Sequence, residues 1–216
     1  MNIHSSVGLS MARQKQMTER KTDNKRRKIL LAAINVFSSK GFHGSKVSDI
    51  AKEAGVADGT IYLYFKNKDD ILIQLFDESL KVMLGNMHQA LIEKKDPLER
   101  IKVFILMHLD SVEKYQSVAE VMQLELRQSH KFMKENVPKR FGEYLNIIGD
   151  TVRSGQEAGI IRKDVHPAMI KSAIWGAMDE IALNWVLTKQ RKKKTYDLED
   201  CAEKLANIFV MGLEKS

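Results

Sequence analysis

Apolar residues recur at steps of three and four through most of the chain, the spacing of amphipathic helices rather than strands. Ile29, Leu30, Ala33, Ile34 and Phe37 predict a first helix over residues 24 to 39, closed by Gly41. Val47, Ile50, Ala51 and Ala54 predict a short second helix, which Gly55 ends as a residue free to take positive φ. Val56 plugs the corner, and a shorter third helix follows with Asp58 as its cap. Ile71, Leu72, Leu75, Phe76, Met83, Leu84 and Met87 then describe a long helix whose N-terminus is favoured by Asp69 and Asp70. Pro97 opens the next, over residues 98 to 114. Further helices are expected at 118 to 129, 138 to 157, 167 to 188 and 198 to 213, with breaks at Ser129 to His130, Gly159 and Pro167. No strand alternation competes with this pattern, so the expected fold class is all-α.

Residues 45 to 68 carry the most specific signal. Two short helices joined by a Gly turn, with small, aromatic and cationic side chains crowded onto the second, form a helix-turn-helix, and such an element is narrow enough for the major groove of DNA. Ser45 and Ser48 are expected at the start of the first motif helix, where free backbone N–H groups meet a phosphate, and Lys46 adds charge there. Ala57, Gly59 and Thr60 occupy the opening turn of the second and are small enough to approach base edges. Tyr62 and Tyr64 either donate to phosphates or pack their rings in the small core; Lys66 and Lys68 hold the next phosphates along. Ile61 and Phe65 are expected to point inward.

Charge agrees with this reading. Residues 1 to 68 hold 13 Lys or Arg against 5 Asp or Glu, whereas the other 148 residues hold 22 against 23, so the whole excess of positive charge travels with the motif. That is the footprint of a small module holding a polyanion on a neutral body. The expected organisation is a flexible tail at 1–22, a DNA-binding domain at 23–69 and a helical body at 70–216, to which the family resemblance given below adds effector binding and dimerisation. With 44% apolar and 29% charged residues and no long apolar run or secretory leader, a cytoplasmic protein is expected. Cys201 is the sole cysteine, which excludes an internal disulfide and suggests a buried structural thiol. Arg191 to Lys194 read as a solvated charged loop.

Residues 26 to 76, from Arg-Arg-Lys-Ile-Leu-Leu-Ala-Ala through Gly-Val-Ala-Asp-Gly-Thr-Ile-Tyr-Leu-Tyr-Phe-Lys-Asn-Lys, resemble the DNA-binding domain of the TetR family of transcriptional repressors. The resemblance implies a three-helix headpiece, a helical effector-binding body and a homodimer on a palindromic operator. The family's usual DNA contacts fall on Ser45, Lys46, Ala57, Gly59, Thr60, Tyr62, Tyr64 and Lys68; position 57, often Ser in the family, is Ala here. Gln-Leu-Glu-Leu-Arg-Gln-Ser at 123 to 129, with Tyr144 to Ile147 and the stretch from Asp179-Glu180 to Trp185-Val186, is similar to the acyl-CoA-responsive FadR branch, the fatty-acid-degradation repressors of Gram-positive bacteria. That similarity implies repression of β-oxidation genes by the free dimer and release by long-chain acyl-CoA.

Read on its own, the body is rich in Met83, Met87, Met107, Met122, Met133, Met169 and Met178, which suit either an adaptable tunnel for an aliphatic ligand or a plain helical core. Phe104, Met107, Leu124, Trp175 and Met178 are the candidate tunnel residues. Arg127, beside Gln128, is the candidate for the CoA phosphates, or else one half of an ion pair with Glu120, Glu125 or Asp179. The rival effector is a hydrophobic cation such as a drug or dye, which would call for acidic groups at the mouth. Ile174, Ile181, Trp185, Leu205 and Phe209 are expected at a four-helix dimer interface that places two recognition helices about 34 Å apart, or a multiple of this. The six histidines, His4, His43, His88, His108, His130 and His166, are scattered, and no catalytic or metal-ligating spacing emerges. No enzyme, metal or cofactor is expected beyond the effector.

Overall fold

A computed structural model describes the backbone of residues 3–125, 139–190 and 196–215 and the side chains of residues 23–124, 139–188 and 196–215. The chain is all-α, with an N-terminal helix-turn-helix domain and a C-terminal helical body; an isolated bridge between Ile161 and Glu214 is the only extended pairing among the described residues. It divides into two compact units, Met1–Gln74 and Leu75–Ser216.

In the first unit, α1 (Ile3–Gly44) breaks its helical backbone at Gly41 (φ 71°, ψ 161°), where the sequence placed the end of the first helix. The same element runs back to Ile3, through residues expected to form a tail. Long-chained Arg, Lys, Gln, Glu and Met dominate residues 12 to 28, and no Gly or Pro interrupts them, so the local propensity is helical. α2 (Val47–Ala54) buries Ile50, Ala51 and Ala54, and Gly55 ends it in the left-handed conformation (φ 62°, ψ 43°), donating back to the carbonyls of Ala51 and Lys52. A side chain at 55 would be strained whatever space surrounded it. α3 (Asp58–Ile61) has Ala57, not Asp58, at its N-cap; Asp58 falls one position inside, where its charge still complements the helix dipole. Ile29, Ala33, Phe37, Ile50, Ala51, Ile61, Phe65, Ile71 and Leu72 are all at most 2% exposed and make one small core, with Ile61 and Phe65 inward as expected.

α4 (Lys68–Leu91) is capped by Asn67, whose Oδ1 accepts from the Asp70 amide at 2.8 Å. Within the body it buries Leu75, Phe76, Leu80, Leu84, Met87 and Leu91, mostly at steps of three and four, and Arg100 Nη1 donates to the Leu91 carbonyl at 2.8 Å to close its C-terminus. α5 (Pro97–Lys114) begins with Asp96 accepting from the Leu98 amide at 3.0 Å, and Pro97 stands at the first helical position. α6 (Gln116–Glu120) continues into a π-helical turn, Val121–Glu125, rather than the regular helix expected to 129. Val121 and Gln123 in this turn are both buried.

α7 (Lys139–Glu157), α8 (Pro167–Gln190) and α9 (Leu198–Leu213) complete the body: α9 lies along α5, and α8 packs against α7. Gly155 is where α7 meets its neighbours most closely, since a Cβ there would stand 2.6 Å from Ile161 Cδ1 and 3.0 Å from Pro97 Cβ. Cys201 proves to be only half-buried, at the edge of α9, and burial together with the Asp200 carboxylate raises its thiol pKa, which keeps it protonated and inert. The expected charged loop at Arg191 to Lys194 lies outside the described residues.

Candidate nucleic-acid interface and effector site

The reader's exposed surface is concentrated on α3 and the turn after it. Ala57, Gly59 and Tyr62 are exposed, Thr60 and Tyr64 half-exposed, and a Cβ on Gly59 would meet nothing within 4 Å, so this face is open to a groove. Backbone bonds from Leu63 to Thr60 and from Tyr64 and Phe65 to Ile61 extend the helix as a turn and hold both tyrosines. Tyr62 stays 59% exposed, so of the two readings for its ring the solvent-facing one holds; Tyr64 leans on Phe65 with ring centroids 6.5 Å apart. Lys46 and Ser48 stand exposed at the start of α2, where Asp49 turns back to accept from the Lys46 amide at 2.9 Å. The hydrogen bond from Lys40 Nζ to Asp49 Oδ1, 2.8 Å, then that amide, hold the Asp49 carboxyl below the usual carboxylate range.

Two residues assigned to phosphates have other duties. Ser45 is 3% exposed, and its Oγ donates to the Gly41 carbonyl at 2.5 Å. Lys68 Nζ donates to the carbonyls of Phe42 (2.6 Å) and Ser45 (2.9 Å) and lies 4.4 Å from the centre of the Phe42 ring. A cation here meets one carbonyl in the last turn of α1 and one just beyond it, which is the electrostatic role favoured at a helix C-terminus. Both side chains brace the turn into α2 and are engaged before DNA arrives.

In the body, two of the described candidates for an effector site, Phe104 and Trp175, belong to one cluster of rings. Phe104 on α5 is 1% exposed and its ring lies 4.8 Å from that of Tyr144 on α7. Trp175 on α8 meets the edge of His108 at 5.4 Å and of Phe141 at 5.1 Å, and Phe141 in turn reaches Phe76 on α4 at 5.9 Å. Met178 is wholly buried on α8; Met107 and Leu124 are half-buried. Arg127 and Gln128 lie outside the described residues.

Sequence reasoning missed the polar part of this cluster. His108, 6% exposed, shares a 3.0 Å hydrogen bond between its Nδ1 and the Tyr144 hydroxyl, while Gln123 Nε2 donates to Asp179 Oδ1 at 3.2 Å. Burial pushes the His108 imidazolium pKa down to about 4, against the pull of the Asp179 carboxylate, so the ring is neutral near pH 7; burial likewise raises Tyr144 well above an ordinary phenol. The available signal was His108 standing four residues after Phe104 in an otherwise apolar stripe with Ile101, Ile105, Leu109 and Val112.

The dimer candidates divide. Ile174 is fully buried and Trp185 is 3% exposed, so both belong to the subunit's own core; they lie on the one stripe of α8, with Ile170, Met178 and Ala182, that turns inward within a subunit. Ile181, Leu205 and Phe209 are half-buried, and the apolar side chains left open nearby in sequence are Ile208 (67% exposed) and Met211 (77%) on α9 and Met169 (55%) on α8. Among the described residues there is no group of three or more His, Cys, Asp or Glu placed to hold a metal, and no helix is long and apolar enough to cross a membrane.

Comparison with known proteins fits this geometry. Residues 29–75 match the family described as bacterial regulatory proteins, tetR family, and residues 76–212 match the C-terminal region of YsiA-like proteins. The fatty acid metabolism regulator protein of Bacillus subtilis is 37% identical over 185 residues, spanning 86% of this chain and 93% of that one. The transcriptional regulator FadR from Bacillus subtilis, solved in complex with stearoyl-CoA, superposes with a TM-score of 0.80 at 36% identity, covering 86% of this chain and 98% of that one. The fatty acid degradation regulator FadR from Bacillus halodurans gives 0.80 at 34% identity, covering 87% and 95%. The reader and the body are thus matched together, and the chain belongs to the TetR family of bacterial regulatory proteins.

Proposed function

We propose that this protein is a cytoplasmic, homodimeric repressor of fatty-acid degradation genes, released from a palindromic operator when long-chain acyl-CoA enters the body. The observation that carries the reading is similarity to a fatty acid metabolism regulator along nearly the full length of both chains, body included. Bodies are where effector preference resides, so likeness there bears on the ligand in a way that a shared reader does not. The ring cluster of Phe104, Tyr144, Trp175 and Phe141 is proposed as the apolar environment for an acyl chain, with Met178, buried on the same helix as Trp175, as a further candidate. Arg127 and Gln128 are proposed for the CoA phosphates.

Lys46, Ser48, Ala57, Gly59, Thr60, Tyr62 and Tyr64 are proposed to meet DNA directly, and Ser45 and Lys68 to hold the turn that presents them. Met169, Ile208 and Met211, with half-buried Ile181, Leu205 and Phe209, are proposed for the face against a second copy. No catalytic role is proposed.

The test is an electrophoretic shift with operator selected from fragmented genomic DNA by the purified protein, titrated with stearoyl-CoA, free CoA and a cationic dye. Release by stearoyl-CoA alone is the expected result. Release by the dye, with no response to stearoyl-CoA, would replace the acyl-CoA reading.

A further inference from the structure

His108 Nε2 is fully enclosed and has no hydrogen-bond partner among the described residues. Its tautomer follows from counting. The Tyr144 hydroxyl is buried, and its bond to His108 Nδ1 is the one hydrogen bond it makes among the described residues. If Nδ1 carried the proton and donated to Tyr144, the phenol O–H would lack an acceptor and Nε2 a donor, leaving two polar groups unsatisfied. If the phenol donates to Nδ1, one group is left over, the Nε2–H. Leaving fewer buried groups unmatched favours the second arrangement. The low basicity of the ring keeps it in that neutral form near pH 7.

Among the described residues the body therefore holds one enclosed, unmatched donor, beside Tyr144 and Trp175. Such a site calls for a ligand that brings one acceptor and no donor. A saturated acyl thioester has that character: its carbonyl oxygen is the single acceptor of the acyl group, whereas each pantetheine amide brings a donor as well. We infer that His108 Nε2–H donates to the thioester carbonyl oxygen of the bound effector, so that the body distinguishes a thioester from an equally long alkyl chain. Tyr144 acts as a positioning residue that fixes which ring nitrogen carries the proton. The inference rests on the acyl-CoA reading above.

The experiment compares stearoyl-CoA with S-octadecyl-CoA, the thioether that keeps the chain and the CoA but lacks the carbonyl. Binding is followed through tryptophan fluorescence below the micellar concentration. The wild-type protein is expected to bind the thioester about 2- to 13-fold more tightly, the worth of one net hydrogen bond. His108→Phe is expected to bind both compounds equally, and His108→Gln, which keeps a donor at similar reach, to recover part of the preference. The wild-type comparison stands by itself if a variant fails to fold. Equal wild-type affinities would overturn the inference while leaving the acyl-CoA reading intact, as would a preference that survives in His108→Phe. Binding of neither compound would overturn both.

Discussion

Acidification should weaken this protein through His108, and the size of the effect follows from its burial. The ordinary imidazole pKa of 6.5 falls to about 4 in the folded chain because the cation would be stripped of water between Tyr144 and Trp175, with Asp179 restoring only part of the loss. The folded state thus binds the proton more weakly than the unfolded chain. Stability is at its full value above pH 6.5, declines as pH falls through the interval, and has lost the whole contribution below about 4. At 1.36 kcal/mol per pH unit the full loss is about 3 kcal/mol, of which about 2 kcal/mol is already gone at pH 5.

Urea unfolding at pH 7 and pH 5, at one protein concentration, measures this when His108→Phe is carried alongside. Carboxylates that titrate near pH 5 do so in both proteins, and so does any packing defect of the variant, so the difference of differences isolates the ring. The wild type should lose about 2 kcal/mol more than the variant between the two pH values. Equal losses would refute the reasoning, because they would mean that the ring takes up its proton with access to water.

Tyr62→Ala should weaken operator binding by about tenfold at constant sequence preference, since a hydroxyl on a phosphate positions without reading; an altered preference in a binding-site selection would contradict it. Lys68→Met should lower the stability of the first unit by about 2 kcal/mol, because the carbonyls of Phe42 and Ser45 lose their cation, and hydrogen exchange at residues 42 to 46 should rise before any DNA is added. Gly155→Ala should cost about 1 to 3 kcal/mol in thermal unfolding, since the new methyl must displace Ile161; an unchanged Tm would show that this side chain yields freely. Ile208→Glu combined with Met211→Glu should leave a helical monomer by sedimentation, and an intact dimer would place the interface elsewhere.

What could be read from the sequence was what depends on neighbours in sequence. Gly55, the inward Ile61 and Phe65, and the starts of α5 and α8 at Pro97 and Pro167 each follow from a backbone preference or an apolar period. Ser45 and Lys68 are expected at DNA from their places at the start of the motif and just beyond its second helix, and from the family's contact positions. Their partners within the chain, the carbonyls of Gly41 and Phe42, depend on how α1 ends against the start of α4, and Lys68 reaches 26 residues back to find one. Ile174 and Trp185 show the same limit: periodicity marks an apolar stripe but not whether a neighbouring helix or a second copy covers it. Phe104 and Trp175 were found as candidates by residue type, whereas the His108–Tyr144 pair joins positions 36 residues apart and required the packing of α5 on α7 to become visible.

The rings running from Phe76 through Phe141, Trp175, His108 and Tyr144 to Phe104 tie α4, α7, α8 and α5 together, and they include side chains proposed above for the ligand. Drift toward a new effector is therefore constrained. Trimming one ring to admit a bulkier molecule also loosens its grip on the next helix, so lineages that change their inducer should do so through compensated pairs of substitutions in contact, each harmful alone.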